Sequence, residues 1–169
     1  MEMMTSPNAT HRNENSAYSR SLAYDQRFAY LQSGERYFLQ PPEQRYKLAV
    51  IGTGLNGRGH IQSTLVEGSA QIAALCDPHQ GSISAAKDMC LRYGGREPEV
   101  YDTIAETIAD PEIDGFIIST PNYTHREVLE QVLSGGRPIF LEKPMSTTVE
   151  DAAEMVRAVR RSGVSVQVG

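Results

Sequence analysis

LAVIGTGLNGRGH, Leu48 to His60, sets an apolar run directly against four glycines in nine residues. Successive Leu, Ala, Val and Ile suit a strand buried on both faces. The glycines remove side chains where the backbone must turn sharply and another group must come close. Gly52, Gly54 and Gly57 fall in the spacing G-x-G-x-x-G. Spacing alone decides little, because glycine is common. Context decides more, since these three follow the strand KLAVI and open a helix.

In that setting each glycine has its own task. The first permits the tight turn, the second clears the approach of a pyrophosphate, and the third lets helix and strand pack closely. The phosphates then rest at the helix N-terminus, where free N–H groups and the helix dipole favour negative charge. A dinucleotide also needs an acidic residue at the end of the next strand, about 20 positions on. QIAALCD ends in Asp77, 20 residues after Gly57. A carboxylate there accepts from ribose hydroxyls and repels a 2′-phosphate, so NAD is expected over NADP. Arg58, at the helix start, is either solvated or near a phosphate. The competing explanation is a strand–turn–helix that needs glycines and binds nothing.

Beyond this stretch, strand and helix alternate. AQIAALCD, PEVYD, IDGFIIST, RPIFLEK and VSVQVG follow KLAVIG as strands. The intervening helices are RGHIQSTLVEG, SISAAKDMCLRYGG, DTIAETIAD, THREVLEQVLSGG and TTVEDAAEMVRAVRRSG. Gly68, Gly94, Gly135-Gly136 and Gly163 are the expected stops. Thr103 with Glu106, and Thr124 with Glu127, are the expected caps. Ile83, Ala86 and Cys90 share one helix face, and Met155, Val156 and Val159 are expected inward on another. The alternation predicts an α/β fold: a doubly wound parallel sheet in three α/β/α layers, the Rossmann arrangement. The expected domain is 46–169. Residues 1–45 are polar and form an irregular extension, either a flexible tail or an arm that docks aromatics. Within it Tyr24, Phe28 and Leu31 make a weak helical stripe before Ser33-Gly34.

Charge narrows the partners. Residues 1–46 hold five Arg and five acidic residues, so the net charge of −5 arises wholly beyond them. That disfavours non-specific nucleic-acid binding, which needs a basic face. No run of about 18 apolar residues marks a membrane span. The start of the chain lacks the apolar region of a secretory signal. Cys76 and Cys90, outside any C-x-x-C pair, fit a reducing compartment, so a cytoplasmic location is expected. Asn8-Ala9-Thr10 matches a glycosylation pattern by chance. His60, His79 and His125 stand at no ligand spacing, and no metal is expected.

Ligands of open α/β sheets lie beyond the carboxyl ends of the strands. Ser119, Thr120, Pro121 and Asn122 end the fourth strand. They either line the ribose and nicotinamide side or form a helix-capping loop, and the two are compatible. His125 falls early in the next helix, as a surface or supporting residue of the cofactor site rather than a catalytic one. Glu142, Lys143 and Pro144 end the fifth strand. From the residues alone, Lys143 is either a surface lysine or a group that holds a substrate hydroxyl.

Gly52-Thr53-Gly54-Leu55-Asn56-Gly57, the strand-end Asp77, STPNYTH and Glu142-Lys143-Pro144 together resemble the N-terminal domain of the Gfo/Idh/MocA oxidoreductases. The resemblance covers about Tyr46 to Gly169. It implies a Rossmann domain for NAD(H) or NADP(H) and hydride transfer on a sugar, cyclitol or related polyol. It implies Lys143 as the catalytic lysine, with Gly52, Gly54, Leu55, Asn56, Gly57 and Asp77 on the cofactor. Ser119, Thr120, Pro121, Asn122, His125 and Glu142 complete the implied site. Members continue into a second domain that supplies much of the sugar pocket, a proton-transfer histidine and most of the oligomer interface. The sequence ends near that handover. The expected function is therefore the cofactor half of a dehydrogenase with little activity alone, homo-oligomeric in a longer form. The alternative is a dinucleotide-binding regulatory or scaffolding module with no redox chemistry.

Overall fold

β1 (Tyr46–Ile51) is hydrogen-bonded on both sides, and its last three residues, Ala49, Val50 and Ile51, are buried. The computed structural model that places it describes residues 46–93 and 95–169. The aromatic stripe of residues 24–31 and the stop at Gly94 lie outside the described residues.

β2 (Ala70–Cys76) and β4 (Gly115–Ile118) flank β1, both parallel to it. β3 (Glu99–Tyr101) pairs outside β2, while β5 (Ile139–Leu141) and β6 (Val166–Val168) extend the other side. The sheet is parallel throughout, in the order β3-β2-β1-β4-β5-β6. The chain thus builds outward from β1 twice, in opposite directions. A crevice follows at the carboxyl ends of β1 and β4, where the winding reverses.

Alternation along the strands sorts the core into two faces. Val50, Ile72, Leu75 and Ile117 meet Ile61 of α1 (Leu55–Glu67) and Ile83, Ala86 and Cys90 of α2 (Gln80–Arg92). Ala49, Ile51, Phe116, Ile118 and Leu141 face the other way. There they pack with α3 (Ile104–Ala109), with Leu129 and Val132 of α4 (His125–Val132), and with Met155 of α5 (Val149–Ser162). Helices on both faces complete the expected three layers. Among the described residues no helix is long and apolar enough to cross a membrane.

The helix ends follow local chemistry. Thr103 and Glu106 form the expected capping box on α3. Gly68, Gly136 and Gly163 adopt left-handed φ values of 87°, 67° and 69° and stop their helices, as glycine does without penalty. Several details differ from expectation, among them the start of α1 at Leu55, three residues before Arg58. α2 begins at Gln80, two residues early, because the His79 ring accepts from Ser82 N at 3.1 Å and caps it. Thr124 does not cap α4. It already lies in a 3₁₀ turn, Asn122–Thr124, and its hydroxyl sits 2.7 Å from the Pro121 carbonyl. Val156 is 37% exposed, because the buried face of α5 runs through Met155 and on to Ala158 and Val159.

Burial sets the chemistry of the free thiols. Cys90 is inaccessible, and desolvation pushes its thiol up to about 11. At pH 8 the thiolate is then on the order of one part in a thousand. Cys90 of the folded protein is expected to resist alkylation that goes to completion in denaturant. Peptide mass spectrometry showing rapid native modification at Cys90 would contradict this.

Candidate functional site

The turn after β1 is built from glycines with distinct constraints. Gly52 has φ +88°, and its N–H donates to the Cys76 carbonyl at 2.9 Å. A Cβ on Gly52 would lie 2.6 Å from the Ser119 carbonyl carbon and oxygen, so the turn presses on the end of β4. A Cβ on Gly57 would lie 2.1 Å from the Gly52 carbonyl oxygen, so α1 rests on the turn itself. A Cβ on Gly54 would meet nothing within 4 Å. The first and third glycines therefore serve packing, and the second faces open space at the start of α1.

Asp77 locks this turn from the tip of β2. Its Oδ2 accepts from Thr53 N at 2.7 Å and from Thr53 Oγ1 at 3.1 Å, while Oδ1 accepts from His79 N at 2.8 Å. An ionised carboxylate offers about four lone-pair sites, so it retains acceptor capacity for a further donor. Arg58 is tied inward: Nη1 donates to the Thr53 carbonyl at 3.0 Å. The guanidinium thus braces the turn, between the two places the sequence left open.

A cavity of about 780 Å³ opens beside the turn, at the carboxyl ends of β1, β2 and β4. Gly52, Gly54, Leu55, Asn56, Asp77, Ser119, Thr120, Pro121 and Asn122 all line it. Ser119 Oγ is buried without a hydrogen-bond partner among the described residues. Gly57, His125, Glu142 and Lys143 do not line this cavity. Gly57 lies behind the turn.

His125 is fully buried rather than on the surface. Its Nδ1 is 3.0 Å from the Pro144 carbonyl and its Nε2 is 3.0 Å from the Thr120 carbonyl. A ring with one N–H donates to one of these carbonyls, and a ring with two donates to both. The ring lies between the loop after β4 and the turn after β5 and ties at least one of them to α4. Lys143 is exposed in that second turn and precedes a cis bond to Pro144. Glu142 points toward α1, where its Oε1 lies 2.9 Å from His60 Nε2.

Several lining residues escape a reading of the sequence, among them His79, Ser82, Tyr123, Glu127 and Gln131. His79 had a usable signal, as the polar residue two places beyond the strand-end acid and just ahead of a helix. Thr53 had none, because the hydrogen bonds that matter reach 24 residues along the chain.

Comparison with known proteins gives a consistent result. The family model GFO_IDH_MocA, an oxidoreductase family with an NAD-binding Rossmann fold, matches residues 46–169. The rhizopine catabolism protein MocA of Rhizobium meliloti is 31% identical over 125 residues, 74% of this chain and 37% of that protein. Inositol 2-dehydrogenase of Paracoccus denitrificans is 34% identical over 125 residues, 73% of this chain and 36% of its own. The crystal structure of myo-inositol dehydrogenase from Lactobacillus casei, in complex with NAD(H) and myo-inositol, aligns with a TM-score of 0.67 at 30% identity. That alignment covers 75% of this chain and 37% of the other. The chain thus spans little more than a third of the length of these relatives.

Proposed function

The chain belongs to the Gfo/Idh/MocA family of oxidoreductases, and from that premise we propose that residues 46–169 bind NAD(H) for hydride transfer on a cyclitol or sugar. The observation that carries the proposal is Asp77 at the tip of β2, held against the glycine turn with acceptor capacity to spare beside a large cavity.

The residues fit a dinucleotide at three places. Gly54 has open space where a diphosphate would approach, and the first N–H groups of α1 follow it. Asp77 supplies an anionic acceptor for a ribose diol. Ser119 Oγ and Glu142 Oε2 are buried polar atoms without partners among the described residues, at the ends of β4 and β5. Such orphans are rare and call for a reason.

We assign the roles as follows. Gly52, Gly54, Leu55, Asn56 and Gly57 shape the diphosphate turn, and Asp77 takes the adenosine ribose. Ser119, Thr120, Pro121 and Asn122 line the nicotinamide side. His125 holds their loop, and Glu142 stands beside Lys143. The Lys143 ammonium orients the substrate hydroxyl and balances the negative charge that grows on its oxygen. The bound cofactor supplies the hydride acceptor or donor. NAD is preferred to NADP, because a 2′-phosphate would face the Asp77 carboxylate. A cyclitol or sugar is favoured by the relatives, one an inositol 2-dehydrogenase and one crystallised with myo-inositol. We place the protein in the cytoplasm, where Cys76 and Cys90 remain free thiols.

Titration calorimetry on the 169-residue chain tests this. NAD should bind saturably, and NADP more weakly by roughly tenfold, the effect of about 1.4 kcal/mol of repulsion. No heat and no saturation with either would overturn the proposal. The same preparation should oxidise myo-inositol slowly, because residues 46–169 form one wall of a pocket that must exclude water. Rapid turnover would contradict that point.

A further inference from the structure

We propose that His60 is a positioning residue for the nicotinamide half of the cofactor, acting through Glu142. The proposal rests on the dinucleotide function above and adds a residue to it. His60 lies on α1, one turn beyond Gly57, and Glu142 follows β5, 82 residues away in sequence. Their side chains meet at 2.9 Å, with His60 25% and Glu142 13% exposed. An ionised carboxylate can only accept, so the His60 Nε2 proton faces Oε1.

The ring is fixed from a second direction. It stands edge-on to Phe140, with centroids 4.9 Å apart and planes at 63°. Phe140 belongs to β5, the strand that leads into Glu142. The Glu142 backbone N–H is held too, donating to the Ile118 carbonyl at 2.9 Å. Strand, ring and carboxylate are therefore immobilised together.

All this holding leaves Glu142 Oε2 buried without a partner among the described residues. A purely structural tie has no use for an orphaned carboxylate oxygen, because burial without a donor is unfavourable. The oxygen is a preorganised acceptor at the end of β5, next to Lys143. By the order of the strands, the β2 tip serves the adenosine half and the β4 and β5 tips serve the nicotinamide half. His60 thus acts on one half of the ligand only.

That asymmetry gives a test in which ADP reports the adenosine and diphosphate contacts alone. His60→Leu in the 169-residue chain should weaken NAD by about tenfold, in line with a hydrogen bond to a charged group, and leave ADP within about twofold. His60→Gln, which restores an N–H donor, should recover most of the NAD affinity. Glu142→Gln should mimic His60→Leu, and the double variant should be no weaker than either single one. Equal loss of NAD and ADP in His60→Leu would make the pair a structural tie and overturn the inference. So would unchanged NAD binding, or a His60→Gln no better than leucine. A wild-type chain that binds ADP but not NAD, or neither, would overturn the functional proposal and this inference with it.

Discussion

Gly57→Ala is expected to lower the free energy of unfolding by roughly 3 kcal/mol or more, the upper end of what overpacking costs. The new methyl would sit 2.1 Å from the Gly52 carbonyl oxygen and 3.1 Å from its carbon. Both are backbone atoms, so no side chain can rotate away. Relief requires α1 to move outward by about an ångström, since carbon and oxygen settle no closer than roughly 3 Å. Ile61, fully buried one turn later, would lift from Val50 and Leu75 as α1 moved. Against a typical total of about 5–15 kcal/mol, such a loss is large. The midpoint of thermal unfolding should fall by roughly 10 °C. Gly54→Ala makes the opposite case. Its backbone is extended with a negative φ of −62°, and the new methyl meets nothing within 4 Å. Stability should stay within about 0.5 kcal/mol of wild type. NAD affinity should drop by roughly tenfold or more, because the methyl occupies the diphosphate approach. Urea denaturation and calorimetry on both variants would read the two effects apart. A Gly57→Ala as stable as wild type would mean that α1 does not rest on the turn.

The contrast between these glycines marks how far sequence reasoning reaches. G-x-G-x-x-G after an apolar strand assigned the tight turn to Gly52, open approach to Gly54 and close packing to Gly57; the positive φ of Gly52 and the contacts of a notional Cβ agree, and the Ser119 contact adds a packing demand at Gly52. The strands were legible because burial on both faces demands near-continuous Val, Ile, Leu and Ala, as in Ala49–Ile51 and Phe116–Ile118. Stops at Gly68, Gly136 and Gly163 were legible because few residues tolerate positive φ. What the sequence concealed depends on long-range contact. Nothing in THREVLEQ marks His125 as buried, since the carbonyls it meets come from Thr120 and from Pro144, 19 residues on. The His60–Glu142 pair joins elements whose proximity exists only once β5 has docked beside β4. Thr124 looked like a cap by composition, and a 3₁₀ turn that carries the helix one step earlier removed the need for one.

Asp77 is where the legible and the concealed parts meet, and its replacement should show both at once. The sequence marks it as the ribose acceptor. The structure adds that it holds Thr53 N, Thr53 Oγ1 and His79 N. In Asp77→Ala the fully buried Thr53 loses its acceptor, and a buried unsatisfied donor costs about 1–3 kcal/mol of stability. Asp77→Asn should recover much of this with its Oδ1 turned to Thr53, at the cost of an NH₂ that then faces the exposed His79 N–H, donor against donor. Loss of the turn alone would weaken NAD and NADP by the same factor, since both carry the same diphosphate. The carboxylate's contact with a ribose diol acts on NAD, whereas its repulsion of a 2′-phosphate acts on NADP in the opposite sense. The one remaining acceptor site supplies a charge-assisted hydrogen bond of about 1.5–3 kcal/mol, which predicts an NAD loss of roughly ten- to a hundredfold. NADP should lose much less, so the preference for NAD should shrink by about tenfold or more. The ratio is the informative quantity, because damage to the turn cancels from it. An unchanged ratio with both affinities reduced would confine Asp77 to bracing the turn, and the choice between the two dinucleotides would have to arise elsewhere on the β2 side of the cavity.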